Sequence, residues 1–138
     1  MTGLWILLGV LVLSAAAGFA HRARDGRVRA SVPEDSLLPV LEQLGAQPGE
    51  RATLLQFSSA FCAPCRATRR VLADVAELVP GVAHVEVDAE QHLDVVRRLG
   101  ILKTPTTLVL DRDGVEVKRA SGQPRKADVL AALGQAVP

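Results

Sequence analysis

"FSSAFCAPCRATRR", Phe57 to Arg70, holds the only two cysteines of this 138-residue chain, Cys62 and Cys65, with Ala63 and Pro64 between them. Two cysteines so spaced are a redox couple, half of a metal site, or two buried thiols, and the flanking sequence bears on which. The preceding "RATLLQF", Arg51–Phe57, reads as a buried strand. From Pro64 onward Val71, Leu72, Val75, Leu78 and Val79 recur at helical spacing until Pro80-Gly81 stops the pattern. Cys62 therefore stands between a strand end and the first turn of a helix. Unpaired backbone N–H groups and the helix dipole stabilise an anion there, and the thiolate is the species that attacks a disulfide. Cys65 is one turn further on the same face, in reach of a mixed disulfide on Cys62. Pro64 fits a helix start, where no N–H is needed. Arg66, Arg69 and Arg70 follow, either adding positive potential or simply solvated.

A zinc site needs four ligands. Only His21, His84 and His92 remain as conventional partners, none at paired-ligand spacing, so a metal reading requires a second chain. Haem attachment needs a histidine directly after Cys65, where Arg66 stands. A phosphate-cradling glycine loop, a G-x-S-x-G elbow and a His-x-x-x-His pair are all missing. With 16 basic against 15 acidic side chains, the charge balance makes no case for nucleic acid. Aromatic residues are 3% of the chain, so the core must be built mainly from Leu, Val and Ala.

The rest of the chain supplies a coherent setting. "RVRAS", Arg27–Ser31, fits a short edge strand, and Pro33-Glu34-Asp35-Ser36 opens a helix through "LLPVLEQLG" that Gly45 closes. "VAHVEVD", Val82–Asp88, alternates as a strand should, and "EQHLDVVRRLG" is a short helix ending at Gly100. "TTLVLDRDGVEVKRAS" is a hairpin around an Asp-Gly turn. "QPRKADVLAALGQAV" closes as a helix with Val129, Leu130, Leu133 and Val137 on one face. The alternation predicts an α/β domain, a central mixed sheet with helices on both faces.

At this point the sequence resembles the thioredoxin family, whose active site is usually written Trp-Cys-Gly-Pro-Cys-Lys, from about Ser31 to the C-terminus. "FCAPCR" follows a buried strand, and Pro105 lies 40 residues beyond Cys65 at the head of a strand, like the family's cis-proline. "VEVDAE", "RRLGI", "DRDGVEV" and Gly122 match further family features. The resemblance implies a thioredoxin-like fold and a thiol–disulfide oxidoreductase acting on protein thiols and disulfides. Cys62 would be nucleophile and Cys65 resolver, with no cofactor beyond their own disulfide and no metal. It further implies a cis Thr104–Pro105 bond packed against Cys62, with Thr104, Pro105 and Phe61 receiving the partner, and Ala63 and Pro64 tuning the couple. Some positions depart from the family. Gln56 stands where thioredoxins bury an Asp credited with proton transfer during resolution, and His84 aligns with a buried Lys. His84 then serves either as a proton acceptor or in a structural role. Phe61 and Ser58 each replace a Trp, and Arg70 occupies the place of the helix-kinking proline.

The block Thr2–Ala20, "TGLWILLGVLVLSAAAGFA", has no charged side chain and as a helix is ~28 Å long, against ~30 Å of hydrocarbon in a bilayer. A cleaved signal peptide and a retained anchor both fit. Ala15-Ala16-Ala17 and Gly18-Phe19-Ala20 resemble cleavage sites, whereas the missing basic leader and the arginines 22, 24, 27 and 29 favour an anchor. The expected organisation is a transmembrane anchor over 2–20, a basic juxtamembrane segment over 21–30 and a thioredoxin-like domain over 31–138. The protein is then a monomer in the cell membrane, crossing once, and the arginines can rest on anionic lipid headgroups. Positive charge on the C-terminal side of the span predicts a cytoplasmic domain. The alternatives are an extracytoplasmic thiol reductase for cytochrome c or envelope protein maturation, and a binding module without turnover. Because the sole tryptophan, Trp5, lies in the apolar block, tryptophan emission is expected to stay nearly constant when the cysteine pair is oxidised. A large quench measured on oxidation would contradict this placement.

Overall fold

The computed structural model of the chain describes residues 2–26, 28–30 and 35–138. In chain order the elements are α1 (Thr2–Arg24), β1 (Val28–Ala30), α2 (Leu38–Gln43), β2 (Ala52–Ser58), α3 (Ala63–Leu78), β3 (Val82–Asp88), α4 (Leu93–Arg98), β4 (Thr106–Asp111), β5 (Glu116–Ser121) and α5 (Lys126–Ala136). The strands form one sheet in the order β1-β5-β4-β2-β3. β2 and β3 are parallel, because α3 carries the chain back between them, and every other neighbouring pair is antiparallel. The β4–β5 turn is held by the Asp111 carboxylate, whose Oδ1 accepts the backbone N–H groups of Asp113 and Val115, both at 2.9 Å. Gly114 completes it at φ +77°, a conformation that favours glycine.

Successive side chains of a strand point to opposite faces, and β2 is buried on both. Leu55 and Phe57 join Leu108 and Leu110 of β4 in a core closed by Leu41 of α2 and Val95 of α4. Ala52 and Leu54 join Val109 in a second core, closed by Leu72 and Val75 of α3 and Val129 and Leu133 of α5. The mixed sheet thus carries helices on both faces, as the sequence alternation predicts. Gln56 shares its face with Leu54, which aims its side chain toward α3 and the cysteines.

The details differ from the sequence reading in several places. α1 continues four residues past Ala20, through His21–Arg24, because the basic turn still satisfies its backbone within the helix. β1, by contrast, is the edge strand expected within Arg27–Ser31, pairing Val28 with Ala120 and Ala30 with Lys118 of β5. Leu78, grouped by spacing with the buried positions of α3, is 61% exposed. It lies about 120° around the helix from Leu72 at ~100° per residue, beyond the reach of the sheet. In α5, Leu130 is partly exposed while Ala132 and Ala136 take the inward positions. Arg27 and Ser31 at the ends of the expected edge strand, and the helix opening at Pro33-Glu34, lie outside the described residues; α2 begins at Leu38.

Leu72→Ala should destabilise the domain by about 3 kcal/mol, as expected for a buried Leu whose cavity is only partly refilled. Leu78→Ala should change stability by less than about 0.5 kcal/mol. Urea denaturation of both variants checks the pair, and equal losses would contradict the packing described.

Candidate active site

β2 ends at Ser58, and a short loop leads to Cys62, the N-cap residue of α3. Phe61 in that loop adopts φ +56°, the left-handed region that bulky residues rarely enter, and its side chain is fully exposed. Strain of this kind persists only where surrounding structure holds it, and it concentrates at functional sites. Ala63 and Pro64 form the first helical positions, so the proline costs α3 no backbone bond.

Cys62 and Cys65 are disulfide-bonded, with 2.02 Å between the sulfurs. The two are not equivalent. Cys65 is 2% exposed, while Cys62 is half-buried and caps the helix, its Sγ accepting the Cys65 N–H at 3.2 Å. Cys62 is thus the more accessible sulfur, and a negative charge on it would face the unpaired amides at the start of α3.

Beneath Cys65 lies a buried amide network. Gln56 is completely buried, and its Nε2 donates to the Cys65 carbonyl at 3.0 Å and to Ser58 Oγ at 2.9 Å. A carbonyl only accepts, so this contact fixes the orientation of the amide, with Oε1 turned to His84 Nε2 at 3.0 Å. His84 must then donate, which puts the neutral ring's proton on Nε2 and leaves Nδ1 as the nitrogen able to take a second. Burial lowers the pKa of His84 below its ordinary value; Glu86 opposes this and Arg69 adds to it. Gln56 thus stands between His84 and the backbone of Cys65.

Arg69 is not spare positive potential. It pairs bidentately with Glu86, both contacts at 2.7 Å, and straps α3 to β3. On the other side of the cysteines, Thr104 precedes a cis bond to Pro105 at the head of β4. Thr104 Oγ1 is 2.8 Å from Ser59 Oγ, joining this loop to the one that carries Phe61. The Pro105 carbonyl accepts the Gly122 N–H at 2.7 Å. The structure therefore gathers Phe61, Cys62, Cys65, Thr104 and Pro105 at one end of the sheet, with Gln56 and His84 behind. Ser59 and Lys103, which the sequence reading passed over, belong to the same loops; only knowledge of strand register brings Ser59 beside Thr104.

A helix-capping, accessible cysteine bonded to a buried one a turn later, on an α/β scaffold, defines a thiol–disulfide exchange domain. The thioredoxin family model matches residues 42–135. The thioredoxin of Mycobacterium tuberculosis is 30% identical over 89 residues, covering 64% of this chain and 76% of the relative. An H-type thioredoxin of Oryza sativa is 29% identical over 84 residues, 61% of this chain and 67% of the relative. Among solved structures, a thioredoxin from Nicotiana alata superposes with TM-score 0.60 at 22% identity, covering 78% of this chain and 99% of its own. The chain belongs to the thioredoxin family and is a thiol–disulfide oxidoreductase.

The lowered pKa of His84 has a consequence for stability. Above about pH 6.5, the ordinary histidine value, folded and unfolded chains both hold neutral imidazole. As pH falls below that value the unfolded chain takes up a proton that the folded protein resists, so stability present at neutral pH is lost on acidification. His84→Gln retains an N–H for Gln56 and does not titrate. It should show a flatter stability profile than wild type between about pH 7.5 and 5. Identical profiles from denaturation at each pH would contradict the assignment.

Proposed function

We propose that this chain exchanges disulfides with protein partners while held to the cell membrane by α1. The observation that carries the reading of the chemistry is the unequal exposure of the cysteine pair, with Cys62 at the helix cap and Cys65 beneath it. In the reduced protein the Cys62 thiolate attacks one sulfur of a partner disulfide. That bond breaks, the displaced sulfur takes a proton, and a Cys62–partner disulfide forms. Cys65 then loses its proton and attacks Cys62 Sγ, releasing the partner's second thiol. Two electrons pass to the partner and the Cys62–Cys65 disulfide remains, to be reduced again by an external dithiol. Thr104 and Pro105 offer backbone to the partner and Phe61 an apolar contact. Gln56 has no proton to trade, so Cys65 gives its proton to water or to another group, and resolution is the slow step.

The length and apolar character of α1 support a membrane span. Its last turn carries His21, Arg22 and Arg24. Basic residues on that side favour a cytoplasmic domain, by the bias that places Lys and Arg inside. Gln56 is also the observation that favours a second reading, a binding module that engages partners without turnover.

Cys62→Ser should lower disulfide reductase activity, measured with insulin and dithiothreitol, to the uncatalysed rate. Cys65→Ser should accumulate mixed disulfides in cells, whose partners can be identified directly. Full activity in Cys62→Ser would refute the mechanism, and partner binding retained without any wild-type turnover would favour the binding module. Alkylation of reduced Cys62 in intact cells by a membrane-impermeant reagent would place the domain outside; protection that is lost once the cells are permeabilised would place it in the cytoplasm.

A further inference from the structure

We propose that the Cys62–Cys65 centre faces the bilayer at headgroup level, and that its partners are cysteine pairs of other membrane proteins at that surface. This rests on the membrane-span and exchange readings above and adds the direction in which the site points.

The sheet topology decides which end of the domain meets the membrane. Phe57 of β2 pairs with Thr106 of β4, which pairs with Ser121 of β5. These three residues form a row across the end of the sheet that bears the cysteine loop and Pro105. Two strand spacings separate its ends, about 10 Å.

The end of α1 is fastened to that same row. The Gly26 N–H donates to the Ser121 carbonyl at 2.7 Å. Asp25 pairs with Lys103, two residues before Pro105 in the active-site loop, and this contact lowers the pKa of the Asp25 carboxyl. Gly26 has φ +72°, and a Cβ there would lie 1.9 Å from the Gln123 carbonyl oxygen, so the approach depends on glycine. Gly122, beside Ser121, donates in turn to Pro105.

Little slack separates the helix from this attachment. α1 ends at Arg24, and Gly26 is already bonded to β5. Two residues span at most ~7 Å. The charge-free stretch ends at Ala20, so His21–Arg24 adds about one turn, ~6 Å, which is the scale of a headgroup layer. No α1 side chain is buried against the domain, so the helix is free to enter the bilayer along its whole apolar length.

The surface at this end suits such a location. Phe61 and Leu102, 102% and 96% exposed, are the two most exposed large apolar side chains among the described residues, and both lie in loops of the site end. With Arg22, Arg24 and Lys103 nearby in the chain or through the Asp25 pair, the end combines apolar and cationic groups as an interface requires. The opposite end carries the β4–β5 turn with Asp111 and Asp113. The reaction is the one written above: a partner disulfide is reduced to two thiols as Cys62 and Cys65 are oxidised, and an external dithiol restores them.

The full chain in lipid nanodiscs tests this. A donor fluorophore is placed on Cys62 in Cys65→Ser, or on Asp113→Cys in Cys62→Ser/Cys65→Ser, with acceptors on the lipid headgroups. The six residues of β4 separate the two positions along the sheet by about 20 Å. Energy transfer should be clearly stronger from position 62; equal or stronger transfer from 113 overturns the orientation. A disulfide-bonded peptide tethered to lipid by a short linker should be reduced at least about five-fold faster than one raised on a polyproline spacer of about fifteen residues, ~45 Å at ~3.1 Å per residue. Inserting a flexible Gly/Ser linker of about twenty residues between Arg24 and Asp25 should level the two rates. Equal rates in wild type overturn the proposal alone, provided the protein is in the nanodisc and reduces insulin. Loss of insulin reduction overturns the exchange reading, and a protein that stays out of the nanodisc overturns the span.

Discussion

The Cys65 N–H bonded to Cys62 Sγ at the start of α3 is the contact on which the site depends. It requires a helix that begins at the residue after Cys62, a proline that does not oppose that start, and a strand that delivers the chain to this point. β2 meets the last requirement because it is buried on both faces and paired on both edges, by β3 and β4. A strand so enclosed leaves little freedom for the loop at its end. The accessible sulfur therefore follows, after a short loop, a strand enclosed on both faces and both edges.

The second constraint is polar. A completely buried Gln56 with nothing to bond would be costly, on the order of 1–3 kcal/mol for each unsatisfied group. Here both amide protons and the oxygen are used, on Cys65, Ser58 and His84. The network fixes the backbone beneath the resolving cysteine while holding no acidic proton at Gln56. The thioredoxin fold thus has an amide, which does not titrate, behind the disulfide. Lowered basicity at His84 follows from the same burial. Rigidity of the site and the slow step proposed for it have one origin.

Much of this was legible in the residues. The alternation of apolar runs and helical spacing sets the mixed sheet with helices on both faces, and "FCAPCR" after a buried run places the redox pair at a helix start. Local spacing failed where packing decides. Leu78 and Leu130 fit an apolar stripe but lie at its margin, and small Ala132 and Ala136 sit where α5 meets the sheet. Gln56 and His84 were each recognisable as unusual, yet their bond depends on β2–β3 register, which no local pattern encodes. The joining of Asp25 to Lys103 is more distant still, since 78 residues separate two charges that look like ordinary surface groups. It becomes meaningful only when topology shows which end of the sheet they share.

Helix-capping Cys62 is proposed above as the reactive sulfur, and Cys65 as its shielded resolver. Alkylation of the fully reduced protein by iodoacetamide across pH, with each site followed by mass spectrometry, tests this assignment most directly. Modification of Cys62 should precede that of Cys65 and should reach half its maximal rate below about pH 8.5, the value of a free cysteine. Faster modification of Cys65, or a Cys62 midpoint at or above that of free cysteine, would contradict the account.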